Sequence, residues 1–109
     1  MNQIMFRGQS GKAYAFTRMA VNAPWARHAG IGLFAARGPF GWRVVRVMDL
    51  RGRLHDVQPI WAFADAERYG ANTVFVYDET DAEVRARICM DLQAGLDPLI
   101  ESEPFRLAA

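Results

Sequence analysis

Alternation of apolar and polar residues opens the chain. Ile4 and Phe6 share one face of Gln3 to Arg7, and Tyr14 and Phe16 share one face of Ala13 to Arg18, the period of two that a half-buried strand requires. The turn between them, Gly8-Gln9-Ser10-Gly11-Lys12, suits a hairpin because glycine supplies positive φ at no steric cost. It is not a phosphate loop. Only two residues separate its first glycine from Gly-Lys, Ala13 follows where Ser or Thr is needed, and a strand follows where a helix is needed. Met19 to Ala29 has no clean period and reads as a loop. Two apolar runs follow, at about Gly30–Ala36 and Trp42–Met48, joined through Arg37-Gly38-Pro39-Phe40-Gly41, which fits a second hairpin with a connection of about five residues.

Beyond Met48 the pattern changes to helical. Asp49 is placed to cap one turn of helix over Leu50 to Leu54, which would set Arg51 and Arg53 roughly 200° apart. Pro59 suits the first turn of a helix. The helix Pro59 to Tyr69 would carry Ile60, Phe63, Ala64 and Glu67 on one face and stop at Gly70. Thr73 to Tyr77 is the most β-prone run and is expected as a central strand. Thr80 and Glu83 have capping-box spacing. The helix they open would align Val84, Ile88 and Leu92 and stop at Gly95, leaving Asp97 to Ala109 as a loosely packed tail. The order β-β-β-β-α-β-α predicts an α+β fold, a small and mainly antiparallel sheet flanked by helices, in a single domain over residues 1–109.

Composition adds little to this, but charge changes the picture. A chain of 109 residues is long enough to bury roughly 65% of the surface it exposes when unfolded. No run approaches the roughly 18 apolar residues of a membrane helix, and Met1 to Gly8 has no apolar signal region. A single cysteine, Cys89, allows no intrachain disulfide, and the default compartment is a reducing cytoplasm. Residues 1–53 carry eight Arg and Lys12 against Asp49 alone, a net of +8. Residues 54–109 carry four Arg against eleven acids, a net of −7. Two readings follow: a basic face for nucleic acid or another polyanion, or mutual neutralisation of the halves within the fold or between subunits.

Other candidate chemistry is sparse. One cysteine with His28 and His55 makes no zinc-ligand spacing, and nothing in the sequence brings a base to Cys89. Asp78, Glu79, Asp81 and Glu83 cluster at a helix start, where the helix dipole favours them. Trp25, Trp42 and Trp61 are candidates for the core, for an interface, or for stacking on bases. Arg53 could contact phosphate or pair with Asp49 or Asp56. Arg46 lies between Val45 and Val47, so it should project from the opposite face with Val44 and Met48. A covered guanidinium there needs a carboxylate or a ligand anion.

Over residues 4 to 98, the succession Gly30-Ile31-Gly32-Leu33-Phe34, an apolar strand, Asp49-Leu50-Arg51-Gly52-Arg53-Leu54, Tyr69-Gly70, a strand, and Arg85-Ala86-Arg87-Ile88-Cys89-Met90-Asp91-Leu92 resembles the GIY-YIG endonuclease domain. The Phe6-Arg7-Gly8-Gln9-Ser10-Gly11-Lys12 segment also resembles the leading hairpin of its small members. The family's chemistry uses two tyrosines, a phosphate-binding arginine, a glutamate holding one divalent metal, and a late asparagine. By position Gly32 stands for the first tyrosine, Arg46 for the second and Cys89 for the glutamate. Arg53 matches the arginine, and no asparagine follows Asn72. A neutral thiol does not replace a carboxylate for magnesium. The resemblance implies a degenerate domain with no catalytic residue, metal or other cofactor. Arg53, Arg46 and Arg51 are its candidate anion contacts, and binding rather than cleavage is its surviving role. Nucleic acid through the basic half is one expected partner. A protein or a second copy of the chain is the alternative, and a metal-dependent nuclease with a rearranged site is the weakest reading.

Overall fold

A computed structural model describes residues 2–100. Strands β1 (Gln3–Arg7), β2 (Ala13–Met19), β3 (Ala29–Gly38), β4 (Gly41–Arg51) and β5 (Thr73–Asp78) form one sheet. Helix α1 (Gln58–Glu67) precedes β5 and α2 (Ala82–Leu96) follows it. The strand order is β1-β2-β5-β3-β4, with every neighbouring pair antiparallel. The architecture is α+β, and Thr73–Asp78 occupies the sheet centre that its composition favours.

The sheet has apolar residues on both faces, and a helix covers each. On one face Phe6, Phe16, Leu33, Val47 and Phe75 pack against Ile88, Cys89 and Leu92 of α2. The sheet is curled, and on this face the Phe6 and Phe75 rings meet edge to face at 5.2 Å. On the other face Trp25, Phe34, Val45 and Val74 pack against Ala62, Phe63 and Ala66 of α1. This is why β3 and β5 read as continuous apolar runs rather than alternating ones.

Several boundaries depart from the sequence reading. Asp49 caps no helix. β4 runs on through Arg51, because pairing Asp49 with Ile31 and Leu50 with Gly30 satisfies the backbone and buries Leu50. Gly52, at φ +72°, then turns the chain off the sheet in a conformation only glycine adopts cheaply. The second hairpin is tighter than five residues, since Gly38 pairs with Gly41 and leaves Pro39-Phe40 at the tip. The 19–29 loop contains a 3-10 turn, Trp25–Arg27, that buries Trp25.

In α1 the buried stripe is Pro59, Ala62, Phe63 and Ala66, while Ile60 and Trp61 are 55% and 68% exposed. Periodicity alone cannot choose between two stripes offset by one residue that share Phe63, and the burial of Ala62 and Ala66 with Ile60 exposed distinguishes them. In α2 the cap is Asp81 rather than Thr80. Its carboxylate accepts from the N–H groups of Glu83 and Val84 at 2.9 and 3.1 Å, and an ionised acceptor there also meets the helix dipole. Gly95 does not end the helix, which reaches Leu96 before Asp97 adopts a left-handed conformation. Instead Gly95 lies against the backbone of Gly8 and Gln9, where a Cβ would stand 2.5 Å from the Gln9 nitrogen. Nor is the start of the tail loose: the N–H groups of Leu99 and Ile100 donate to the carbonyls of Val44 and Val45. Residues 101–109 of the expected tail lie outside the described residues.

Candidate functional site

Where β4 leaves the sheet, the 53–57 segment, the 21–27 loop and α1 enclose a groove of about 740 Å³. Trp25 and Phe63 form its floor, their rings 5.8 Å apart, and the Trp25 Nε1–H donates to the Val21 carbonyl at 3.0 Å, tying the loop down. Val21, Leu54, Val57 and Ile60 stand at the rim, each between 45% and 64% exposed. Arg27, Arg53 and His55 line the same groove, with Asp56 and Glu67 as its acids. Arg53 also shares a shallower depression with Arg51 and His55. The structure therefore brings Arg51 and Arg53 together, and the expected 200° separation lapses with the helix it assumed.

Neither suggested carboxylate pairs with Arg53. Asp49 is held by Arg85, whose Nε donates to Oδ1 at 2.7 Å. Asp56 accepts at its Oδ1 from the Gln58 N–H at 3.0 Å, just ahead of α1. The pattern is general: among the described residues the ion pairs are His28–Asp78, Arg68–Asp65, Arg85–Asp49 and Arg87–Glu83. Among the described residues none uses an arginine from the first 53 residues.

Arg46 lines neither depression. A β-bulge between Phe34 and Ala35 places Arg46 opposite Phe34 and Val44 opposite Ala35, with Val45 as the extra residue. Val44 thus faces α2 while Val45 faces α1, and Arg46 shares the α1 side with Phe34. Val44 does not share its face as the alternation suggested. The Arg46 Nε is buried without a hydrogen-bond partner among the described residues.

The positions matched to the nuclease do not converge. Gly32 points toward Leu50 on the α1 side, where a Cβ would come 3.2 Å from Leu50 Cδ1. Cys89 is fully buried on the α2 side. Burial and the nearby Asp49 carboxylate push its thiol up, opposed by Arg85, so the position holds a neutral thiol and does not fit a divalent cation. Among the described residues no three His, Cys, Asp or Glu side chains gather as a metal site would need.

Asp91 has a structural partner set of its own. Its carboxylate accepts from the Ser10 N–H and hydroxyl at 2.8 and 2.7 Å and from the Tyr14 hydroxyl at 2.9 Å. Desolvation works to raise it, but the Ser10 and Tyr14 hydrogen bonds prevail and hold it below the usual carboxylate range. The Gly8–Lys12 loop is thus a hairpin turn whose N–H groups are all taken up within the protein, Ser10 by the Asp91 carboxylate and Gln9 by the Asp91 carbonyl.

Sequence reasoning missed Arg27, which lay in an unpatterned loop, and the buried Arg85–Asp49 pair. Arg85 had a signal: it sits three residues before Ile88 and four before Cys89, on the apolar stripe, where a charge needs a partner. No helix among the described residues is long and apolar enough to cross a membrane. No protein-family model, no curated protein and no solved structure matches the chain.

Proposed function

We propose that the chain is a non-cleaving nucleic-acid-binding module on a GIY-YIG-like scaffold. The observation that carries this reading is the set of eight arginines in the first half, none of them in an ion pair among the described residues. Of these, Arg27, Arg51 and Arg53 are exposed and without carboxylates, and so are available to phosphate, which their planar fork suits. Arg51 and Arg53 are the assigned phosphate contacts at the end of β4, with Arg27 across the groove. Contacts of this kind position the chain on a backbone and carry no sequence information.

Fluorescence anisotropy with labelled oligonucleotides tests the reading. Binding at about 50 mM salt should weaken by at least tenfold at about 200 mM. Arg51→Gln and Arg53→Gln should each lower the salt slope by about one for oligonucleotides long enough to reach both ends of the β3–β4 ribbon. If no DNA or RNA oligonucleotide binds at the lower salt, the proposal is wrong.

A second reading has its own support. Val21, Leu54, Val57 and Ile60 expose apolar surface around one groove, and surfaces of that kind mark protein contacts. On this reading the groove joins two copies of the chain, and the +8 half of one faces the −7 half of the other. Sedimentation of the free protein separates the two: a dimer that dissociates with Ile60→Glu, combined with no oligonucleotide binding, would favour self-association.

A further inference from the structure

The opposite end of the same β-ribbon carries a second group of unpaired cations around one aromatic ring. At the β3–β4 tip Pro39 and Phe40 form the turn, and Phe40 is 102% exposed, the most exposed of the large apolar residues described. The turn does not need it. Pro39 presets the backbone, and Gly41, at φ +120°, supplies the conformation that other residues avoid. A phenylalanine wholly in water buries no surface and adds no packing to the fold.

The strands that lead to it carry cations. Arg37 and Arg43 lie three residues to either side, on opposite faces of the ribbon, since Arg37 pairs with Trp42 and Arg43 with Ala36. Arg18 comes in from β2. The guanidinium carbons of Arg37 and Arg18 stand 5.1 and 5.4 Å from the Trp42 ring centroid, and that ring is wedged edge to face against Phe75 at 5.0 Å. Two of the three arginines are thereby held against a packed aromatic and do not sweep freely through solvent. None of the three forms an ion pair among the described residues.

We infer that this tip is a base-stacking element for single-stranded nucleic acid: Phe40 stacks on an unpaired base while Arg18, Arg37 and Arg43 hold the flanking phosphates. An exposed aromatic flanked by cations is what a strand with splayed bases requires, because every base offers a π-face and every link a negative charge. A protein partner would account for the phenylalanine but would have to supply acidic groups separately for three cations, two of them held in place. The inference rests on the nucleic-acid reading above and adds a location and a strand preference.

The test compares wild type, Phe40→Ala, Phe40→Trp and Arg37→Gln on one labelled single-stranded oligonucleotide and on the matching duplex. Phe40→Ala should weaken single-strand binding about 5- to 100-fold with its salt slope unchanged, since no charge is lost. Phe40→Trp should restore binding, and Arg37→Gln should lower the slope by about one. Melting temperatures of the position-40 variants should equal wild type, because nothing packs on that ring. If wild type binds and Phe40→Ala binds equally well, the stacking role is overturned while the binding function stands. An equal loss on the duplex overturns the single-strand preference. If wild type binds no oligonucleotide at low salt, the binding function itself fails. Loss of self-association in Phe40→Ala, without any change on oligonucleotides, would assign the tip to a protein contact and overturn the inference.

Discussion

Two residue pairs bear most of the polar stakes of the α2 face, and they respond to different perturbations. Arg85 is 6% exposed. Its guanidinium is satisfied by Asp49 and by the carbonyls of Glu79 and Thr80. Removing Asp49 leaves a buried charge with carbonyls alone, so Asp49→Ala should cost about 3 kcal/mol of stability, read by urea denaturation. A double change to Asp49→Leu and Arg85→Met should recover most of that loss. The Asp91–Tyr14 pair gives a pH signature instead. Burial and then the Asp91 contact raise the Tyr14 hydroxyl to about 12, so its contribution is complete below pH ~10 and fades as pH rises through about 12. Asp91 is depressed, so its contribution is present above pH ~4 and is lost as pH falls through the folded value. Asp91→Asn should therefore flatten the acid limb of the stability profile, measured by thermal melts from neutral pH downward. An unchanged acid limb would show that Ser10 and Tyr14 do not stabilise the carboxylate.

Among the elements, strands were the most legible from sequence and helix faces the least. Tyr14 and Phe16 alternate with exposed neighbours, and β1 begins and ends where its pattern does, because one face of that hairpin meets the core and the other meets water. β3 was drawn short at Arg37-Gly38, which read as turn residues, and β4 was drawn short because Asp49 does not look like a strand residue until its neighbours are known. A Cβ at Gly30 would stand 2.0 Å from the Tyr77 carbonyl oxygen, and Asp49 is extended because Arg85 lies above it. Such reasons are tertiary and leave no local trace. The same holds for α1, where two apolar stripes one residue apart compete and only the sheet selects between them. This gives a paired prediction: Ile60→Glu should change stability by less than about 0.5 kcal/mol, whereas Phe63→Ala should cost about 3–5 kcal/mol. Comparable losses at both positions would mean that the helix is rotated from the orientation described. The candidate site fared worse than the fold for a related reason. Arg53 was visible as a residue, but the groove it lines also needs Trp25 and Arg27 from a loop without pattern.

At the scale of the molecule the charge asymmetry acquires a shape. The β3–β4 ribbon has the Arg51 and Arg53 cations at one end and Arg37 and Arg43 at the other. Strands of 10 and 11 residues separate those ends by roughly 30 Å at the extended rise per residue. That span exceeds a Debye length of about 8–10 Å at physiological ionic strength, so the two clusters act on a polyanion separately unless one molecule bridges them. Bridging makes the second contact intramolecular and multiplies affinity without any new interaction. Single strands of increasing length should therefore bind weakly until one is long enough to reach both ends, and then tighten steeply with a larger salt slope. Arg37→Gln should reduce the salt slope for short and long strands, because the tip is the stacking end. Arg53→Gln should reduce it only for strands that bridge. Isothermal titration across the length series at two salt concentrations reads both quantities. A smooth rise in affinity with no break in the salt slope would confine binding to one end of the ribbon.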